Sequence, residues 1–574
     1  MSSAGLGQPV TGRIPSSSPA ASQTRPKAKH YRRPQERSLT ESERETTTIL
    51  IGGLTAKHEQ FIRAVFQGCG YACEILPVPD QAAFQIGKEY GNNGQCSPAY
   101  FTAGSLIQFL KNLESDGLSR EEIVDSYVFF TAGSCGPCRF GMYAAEYRMA
   151  LQNAGFDGFR VIRFQQDDGI KQRSQHPGLK YTVDFGVGML KTLYLADALN
   201  DLSHSIRPFE INPGETNRVM DLCVQDVCEH LRTYKAPELA TRIGPWLAAR
   251  LANRNTLRTI LSVLYKFREH LYGEPFMSVL DRCRRRINDI EVDRMRVKPI
   301  VKIIGEFWAQ TTEGDGNYRM FDFLEGEGAH VQPEAIGTWI AYLLAHARMQ
   351  MEPRRGMDAQ CQEPESLRQR VQNEFSYQKK RMLLSLGEHL YTRFYHHTID
   401  GFGGTAHRLV SQERLARLAK PFYKPLARGG EGYLEVGKNI FYTTTKLSHM
   451  VLSLKPFGCM PSSQSDGIQS AVVNRYKDMI FLPIETSGEG EVNAHSRVQM
   501  ALGEAKTKAK MEFQRVLEST GKSIDEIRAF ADRHPVLRRP FYRLPLHHGV
   551  TGVAANFVLH VGDLMAGRAR LPEK

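Results

Sequence analysis

Short runs of apolar residues alternate with longer stretches of helical periodicity in two separate parts of the chain. In the first part these runs lie at residues 47–54, 71–76, 127–131 and 159–164. Their length and composition are typical of buried strands. Because strands that alternate with helices form a parallel sheet with helices on both faces, the pattern predicts an α/β fold.

The second α/β part begins more than a hundred residues later. Its apolar runs lie at residues 298–305, 450–454 and 479–484, and residues 188–292 show only helical periodicity. We therefore predict two Rossmann-like parallel-sheet lobes joined by a helical connector. The predicted divisions are a disordered basic tail (1–43), the first lobe (44–187), the helical connector (188–297), the second lobe (298–520) and a C-terminal helical segment and tail (521–574).

The positive charge is concentrated at the N-terminus. The whole chain carries a formal charge of +12, and residues 1–40 contribute +6 of it in a stretch rich in Ser, Pro and Gln. Such a composition is typical of a disordered tail, so any nucleic-acid role is predicted to be confined to that tail. The chain shows neither an apolar run that could span a bilayer nor a secretory signal, which predicts a cytoplasmic protein without a membrane.

Four of the ten cysteines stand where an α/β protein builds its sites. Cys96, Cys135, Cys138 and Cys459 follow strands or glycine-containing loops and precede helices. Ligand sites of open parallel sheets form beyond the carboxyl ends of the strands, and helix N-termini stabilise thiolates. The other six cysteines fall within helical or strand patterns and are predicted to be structural: Cys69, Cys73, Cys223, Cys228, Cys283 and Cys361.

Three chemistries are compatible with these cysteines. The sequence Cys135-Gly-Pro-Cys138 between a strand and a helix is also the redox pair of thioredoxins, which predicts thiol–disulfide exchange. A Cys₄ zinc site is the second interpretation, although such sites usually come from two close Cys-x-x-Cys pairs. An iron–sulfur cluster is the third, and its ligands are often spread over several loops. The spacing alone leaves the metal open.

Several longer motifs resemble one family, the 2-hydroxyacyl-CoA dehydratase D-component-like proteins, over about residues 47–505. The motifs are GKEYGNNGQCSPAYFTAG (87–104), TAGSCGPCRFGMYAAEYRMAL (131–151), IRPFEINPGETN (206–217), GEFWAQTTEGDGNYRMFDFLE (305–325) and KPFGCMPSSQSDGIQS (455–470). The resemblance implies an iron–sulfur cluster, 4Fe-4S or double-cubane, held by Cys96, Cys135, Cys138 and Cys459. It also implies low-potential electrons supplied by an activator ATPase of the BadF/BadG type.

The resemblance implies a lyase or reductase acting on an acyl-CoA ester through single-electron chemistry. The sequence lacks the ATPase half, and it is one chain where better-known dehydratases use two related subunits, so a homodimer or a related subunit is expected. Two alternatives stay open: an electron-relay or scaffold subunit without its own substrate, and a thiol–disulfide oxidoreductase using Cys135 and Cys138.

Candidate catalytic groups near the cysteines are Arg139, Glu306 and Ser462. Glu306 directly follows the predicted strand 298–305, which predicts a carboxylate facing the crevice. Three further acids belong to the same motifs or adjoin them: Glu313, Asp315 and Glu431. For each carboxylate the alternative is a helix cap or a salt bridge.

Overall fold

The computed structural model describes residues 36–133, 138–165, 169–170, 178–239, 255–353, 355, 367–427 and 429–571. The first sheet contains four parallel strands in the order β2-β1-β3-β4, followed by a two-residue antiparallel edge strand, β5. The strands are β1 (Thr48–Ile51), β2 (Ala72–Ile75), β3 (Tyr127–Gly133), β4 (Arg160–Gln165) and β5 (Gly169–Ile170).

Alternate residues of these strands enter two different cores. Ile49, Ile51 and Val128 join the core on one face, whereas Leu50 and Phe129 join the core on the other face. This is the two-residue period of a strand that is buried on both sides, as a parallel sheet requires. The helices of this half of the chain are Ala56–Gly68, Gln81–Tyr90, Ser97–Ser115, Arg120–Ser126, Tyr143–Asn153, Val183–Ile206, Glu215–Thr233, Asn255–Tyr272 and Glu274–Asp289.

The second sheet repeats the same strand order. Its four parallel strands follow the order β7-β6-β8-β9, and they are β6 (Ile300–Gly305), β7 (His330–Gln332), β8 (Met450–Pro456) and β9 (Phe481–Thr486). The helices are Met320–Gly326, Ile336–Met351, Leu367–Gly401, Gln412–Ala419, Tyr433–Thr444, Met460–Arg475, Glu491–Thr520, Ile524–Arg533 and Val553–Met565. The two parallel-sheet lobes confirm the predicted fold class.

The helices predicted as a connector cover one face of the first sheet. Phe61 of the helix Ala56–Gly68, Tyr194, Val227 and Phe276 belong to one continuous core with Ile49 of β1. A segment that reads as purely helical in sequence thus completes the first lobe. Within the described ranges, no helix combines the length and the apolar composition that crossing a bilayer requires.

The ordered body begins earlier than the predicted Arg44. Leu39 is buried, Glu36 pairs with Arg148, and Glu43 pairs with Arg160 of β4 at 3.2 Å. The prediction of a tail up to residue 43 is therefore wrong for residues 36–43, because two acids of this segment compensate arginines that are themselves largely buried. Residues 1–35 lie outside the described part of the chain.

Candidate functional site

Each sheet has a topological switch point, where the connections that follow two neighbouring strands run in opposite directions across the sheet. These points lie between β1 and β3 and between β6 and β8, and crevices at the carboxyl ends of such strands are the usual ligand sites of open α/β sheets. The residues that follow these strands line a single cleft of about 1420 Å³. They include Gly53 after β1, Cys138 after β3, Glu306 after β6 and Cys459 after β8.

The loops that carry two of the cysteines bring the two lobes into direct contact. Cys96 is the N-cap of the helix Ser97–Ser115, and Cys459 is the N-cap of the helix Met460–Arg475. The Ser97 N–H donates to the Phe457 carbonyl at 3.1 Å, which joins the two cysteine loops. Gly458 has φ +77°, and a Cβ there would lie 3.4 Å from Cys96 Cα. Only glycine suits both this backbone conformation and this approach.

Cys138 lies in the same cleft, at the start of a short 3₁₀ turn over Arg139–Met142. The Phe140 N–H donates a hydrogen bond to Cys138 Sγ at 3.5 Å. The Arg139 guanidinium donates to the carbonyl of Gly94, so it ties this turn to the loop that carries Cys96. Cys135 lies outside the described residues.

The thiols of the cleft are desolvated. Burial raises the pKa of Cys138 to about 12 and also raises the pKa values of Cys96 and Cys459, and the nearby Glu306 charge adds to the effect. An attacking thiol of the thioredoxin type needs a lowered pKa. The surroundings of Cys138 thus favour a protonated thiol, or a sulfur that gives up its proton to a metal.

Two buried carboxyl groups face the cysteines. Glu306 Oε2 accepts from the Ala309 N–H at 2.9 Å, and Glu431 Oε1 accepts from the Phe307 N–H at 2.6 Å. Burial raises the pKa of both groups, and the charge of Glu306 raises that of Glu431 further. Carboxyl groups whose pKa values are raised in this way keep a proton at higher pH than ordinary carboxyls, which suits them to acid–base chemistry.

The other predicted acids and Ser462 have different positions. Glu313 accepts from the Ala56 N–H and Asp315 from the Gln81 N–H, both at 3.0 Å, so they cap helices of the first lobe from the second. The helix-capping alternative therefore describes these two acids. Ser462 is buried one turn into its helix, beside the Cys459 thiol.

Three residues of the cleft were not among the predicted site residues. Tyr143 Oη lies 3.0 Å from Cys96 Sγ, Trp308 Nε1 is buried without a hydrogen-bond partner among the described residues, and Glu59 is buried beside the loop after β1. The only local signal for Glu59 is its place one turn into the helix after Gly52-Gly53. Nothing near Tyr143 in sequence indicates its contact with Cys96, and nothing near Trp308 indicates its place in the cleft, because both arise from the packing of distant elements.

The remaining wall of the cleft changes from apolar to basic. Trp339 and Leu343 of the helix Ile336–Met351 contribute an apolar surface. The exposed side chains of Arg355, Arg370 and Lys380 line the same cleft. The cleft thus joins buried thiols and carboxyls to a positively charged, solvent-facing region.

Glu59 is expected to make the stability of the protein depend on pH. Burial raises the pKa of Glu59 to about 8, although its carboxylate accepts from the Leu54 N–H at 3.0 Å. Between the ordinary carboxyl pKa of about 4.5 and pH 8, the folded chain keeps a proton that the unfolded chain has lost, so stability falls as the pH rises. We expect Glu59→Gln to raise the unfolding free energy by about 3 kcal/mol at pH 8.5 and to change it little at pH 4.5.

Urea unfolding at the two pH values measures this difference. Glu89→Gln is the control, because Glu89 is an exposed acid on the helix Gln81–Tyr90. Equal urea midpoints for Glu59→Gln and the wild type at pH 8.5 would show that the Glu59 carboxylate is ionised without cost.

Comparison with protein-family models gives no match, and comparison with curated proteins gives none either. Among the residues that the structure describes, no three His, Cys, Asp or Glu side chains are arranged closely enough to hold a metal ion.

Proposed function

We propose that this chain is an iron–sulfur protein of the 2-hydroxyacyl-CoA dehydratase or reductase type, which receives low-potential single electrons from an ATP-dependent activator. The observation that carries the proposal is the convergence of Cys96, Cys138 and Cys459 from both lobes on one cleft, beside the buried carboxyls of Glu306 and Glu431. The resemblance of the cysteine motifs to the dehydratase family supplies the reaction class.

The donor set has the chemistry that an iron–sulfur cluster needs. Soft thiolate sulfurs are the preferred ligands of iron–sulfur clusters, and the ligands are often spread over loops. The N–H of Trp308 is a buried donor without a partner in the described chain, which suits a site that is completed by a bound anionic group. Cys135 completes the proposed ligand set of Cys96, Cys135, Cys138 and Cys459.

When bound, the cluster supplies low-potential single-electron chemistry. The residues of the chain have separate tasks around it. The Glu306 and Glu431 pair holds a proton next to the reacting region, and the apolar wall with Trp339 excludes water. Arg370 and Lys380 offer positive charge to the phosphate groups of an acyl-CoA ester.

The proposal is tested by anaerobic reconstitution of the full chain with iron and sulfide. The reconstituted protein is then assayed with a BadF/BadG-type activator ATPase, ATP and titanium(III) citrate. We expect bound iron and sulfide in equal amounts and ATP-dependent dehydration of 2-hydroxyglutaryl-CoA or a related 2-hydroxyacyl-CoA. Zinc without sulfide contradicts the cluster. A cluster that is reduced by the activator but turns over no substrate favours the electron-relay alternative.

Tyr143 is expected to set the potential of this cluster. A cluster-bound Cys96 sulfur carries no proton, so at a separation of 3.0 Å the Tyr143 hydroxyl is the donor. Hydrogen bonds to ligand sulfurs stabilise the reduced cluster. We expect Tyr143→Phe to shift the midpoint potential to more negative values in a redox titration followed by electron paramagnetic resonance.

Tyr147 provides the matched control for this prediction. It lies one turn further along the same helix and is equally buried, but its hydroxyl donates to Thr102 Oγ1 at 2.9 Å. Tyr147→Phe should leave the potential unchanged. Equal potentials for the Tyr143→Phe protein and the wild type would remove Tyr143 from this role without affecting the cluster assignment.

A further inference from the structure

The helix Leu367–Gly401 has its polarity reversed over its first two thirds. Arg370, Asn373, Tyr377 and Lys380 line the cleft together with one apolar side chain, Leu384, whereas the other large apolar side chains of residues 367–390 face solvent. A surface helix of a soluble protein normally buries its apolar stripe and exposes its charges. We name this part of the helix, residues 367–390, the arm.

The apolar stripe of the arm is both continuous and strongly exposed. Its six members are between 36% and 81% exposed, and they are Leu367, Val371, Phe375, Met382, Leu386 and Leu390. A seventh apolar side chain, Leu383, is 54% exposed and lies at the edge of the stripe. Steps of four and seven residues keep them on one side of a helix. Contiguous exposed apolar surface of this kind marks an interaction site.

The spacing of the stripe is the same in both directions. Leu367, Val371 and Phe375 lie as far before the midpoint between Gln378 and Lys379 as three other apolar residues lie after it, namely Leu390, Leu386 and Met382. A two-fold axis at that midpoint would place Leu367 against Leu390 of a second arm, Val371 against Leu386 and Phe375 against Met382. A two-fold interface needs this kind of self-complementary surface.

We propose that the arm pairs antiparallel with the arm of a second copy of this chain and forms a two-fold homodimer. The arm is about 35 Å long at 1.5 Å per residue. Covering its six apolar side chains removes roughly 600 Å² per partner from water, which approaches the roughly 800 Å² of a standard interface. The polar face stays free, so each copy keeps its own cleft, and the dimer does not depend on the proposed function.

The same geometry predicts how salt acts on the dimer. The two Lys379 side chains meet near the axis, where their like charges repel each other and their long stems reach past the seam to water. Salt screens this repulsion and strengthens apolar contacts. The dimer is therefore expected to tighten between 0.05 M and 0.5 M NaCl, and dissociation over this range would contradict an apolar seam.

Sedimentation of the full chain tests the pairing. The wild type is expected at about twice the 64.8 kDa of one chain, and the double substitution Val371→Glu with Phe375→Glu is expected to give monomers. Val492→Glu is the control, since Val492 is 84% exposed on a different helix and should leave the dimer intact. Circular dichroism checks that the double variant remains folded.

Cysteine cross-linking tests the direction and register. Gln378→Cys lies at the proposed axis and is expected to cross-link to its own copy, whereas Leu367→Cys cross-links only when it is mixed with Leu390→Cys. A wild type that stays monomeric at 100 µM overturns the proposal and assigns the arm to a different partner. A dimer that survives the double substitution, or one in which Leu367→Cys links to itself, overturns it as well.

Discussion

Replacing Cys459 by serine is expected to abolish iron binding while leaving the fold intact. Cys459 is the only proposed ligand in the second lobe, and its loop packs so closely on the Cys96 loop that a Cβ at Gly458 would lie 3.4 Å from Cys96 Cα. Cys459 is the N-cap residue of its helix, but its side chain makes no capping hydrogen bond, and Pro461 lies in the first turn, so the helix does not need the thiol in order to start. We expect iron and sulfide after anaerobic reconstitution to fall below about a tenth of the wild-type content when a ligand of this kind is removed.

Cys69→Ser is the matched control. Cys69 is half-buried at the C-terminal end of the helix Ala56–Gly68, and it does not line the cleft. It should retain full iron and sulfide. The cluster assignment would be contradicted if all four ligand variants retained iron, namely Cys459→Ser, Cys96→Ser, Cys135→Ser and Cys138→Ser. Iron loss in Cys69→Ser would show a general loss of structure.

Strands that are uniformly apolar could be placed from sequence, and strands that are short or polar could not. The runs that became β3 and β8 are nearly free of charge, and their positions were predicted to within two residues. The strand β7 was missed because His330–Gln332 is three residues long and two of them are polar. Its burial comes from the layers on either side, which the sequence of β7 does not encode.

The bounds of a helix cannot be taken from an apolar period where buried polar groups replace apolar ones. The helix Met460–Arg475 is such a case. Its inner face carries Ser465, which donates to Glu435, and Gln469, which accepts from Asn439 at 2.8 Å. Because these partners are polar, the helix shows no apolar period for the sequence to reveal.

The site residues that come directly after strands could be predicted from the sequence. Cys138, Cys459 and Glu306 line the cleft because parallel strands deliver the residues after them to one edge. Tyr143 and Glu431 join them through the packing of separate helices and loops, and no spacing rule contains that information. The ion-pair partners of the buried charges in the second lobe could not be predicted for the same reason. Lys302 interrupts an otherwise apolar strand, and its partner lies some thirty residues later in the chain.

That partner, Glu334, lies between two buried ammonium groups. Lys302 of β6 lies 3.1 Å from Glu334 Oε2, and Lys438 of the helix Tyr433–Thr444 lies 3.2 Å from Oε1. All three side chains are at most 7% exposed. Burial alone would raise the pKa of Glu334, but the two ammonium charges outweigh it and lower the pKa to about 2.

Glu334→Gln is expected to destabilise the protein by about 3–5 kcal/mol, because it leaves two buried ammonium groups without the carboxylate between them. Since the folded pKa of Glu334 lies below its unfolded value, its contribution is complete above about pH 4.5 and is lost only as the pH falls toward 2. Urea unfolding at pH 7 measures the loss. Glu327→Gln is the control, since Glu327 pairs with Lys506 at 3.3 Å near the surface and its removal should change the midpoint little.

The same triad links stability to the cleft. Lys302 lies on the strand that ends at Gly305, directly before Glu306, and Lys438 lies on the helix that begins two residues after Glu431. The ion network thus fixes the two elements that position the carboxyl pair. If uncompensated charge is the cause, replacing Lys302 and Lys438 by methionine together with Glu334→Leu should recover most of the stability. A triple variant as unstable as Glu334→Gln, or a Glu334→Gln protein as stable as the control, would assign the stability of this region to packing instead.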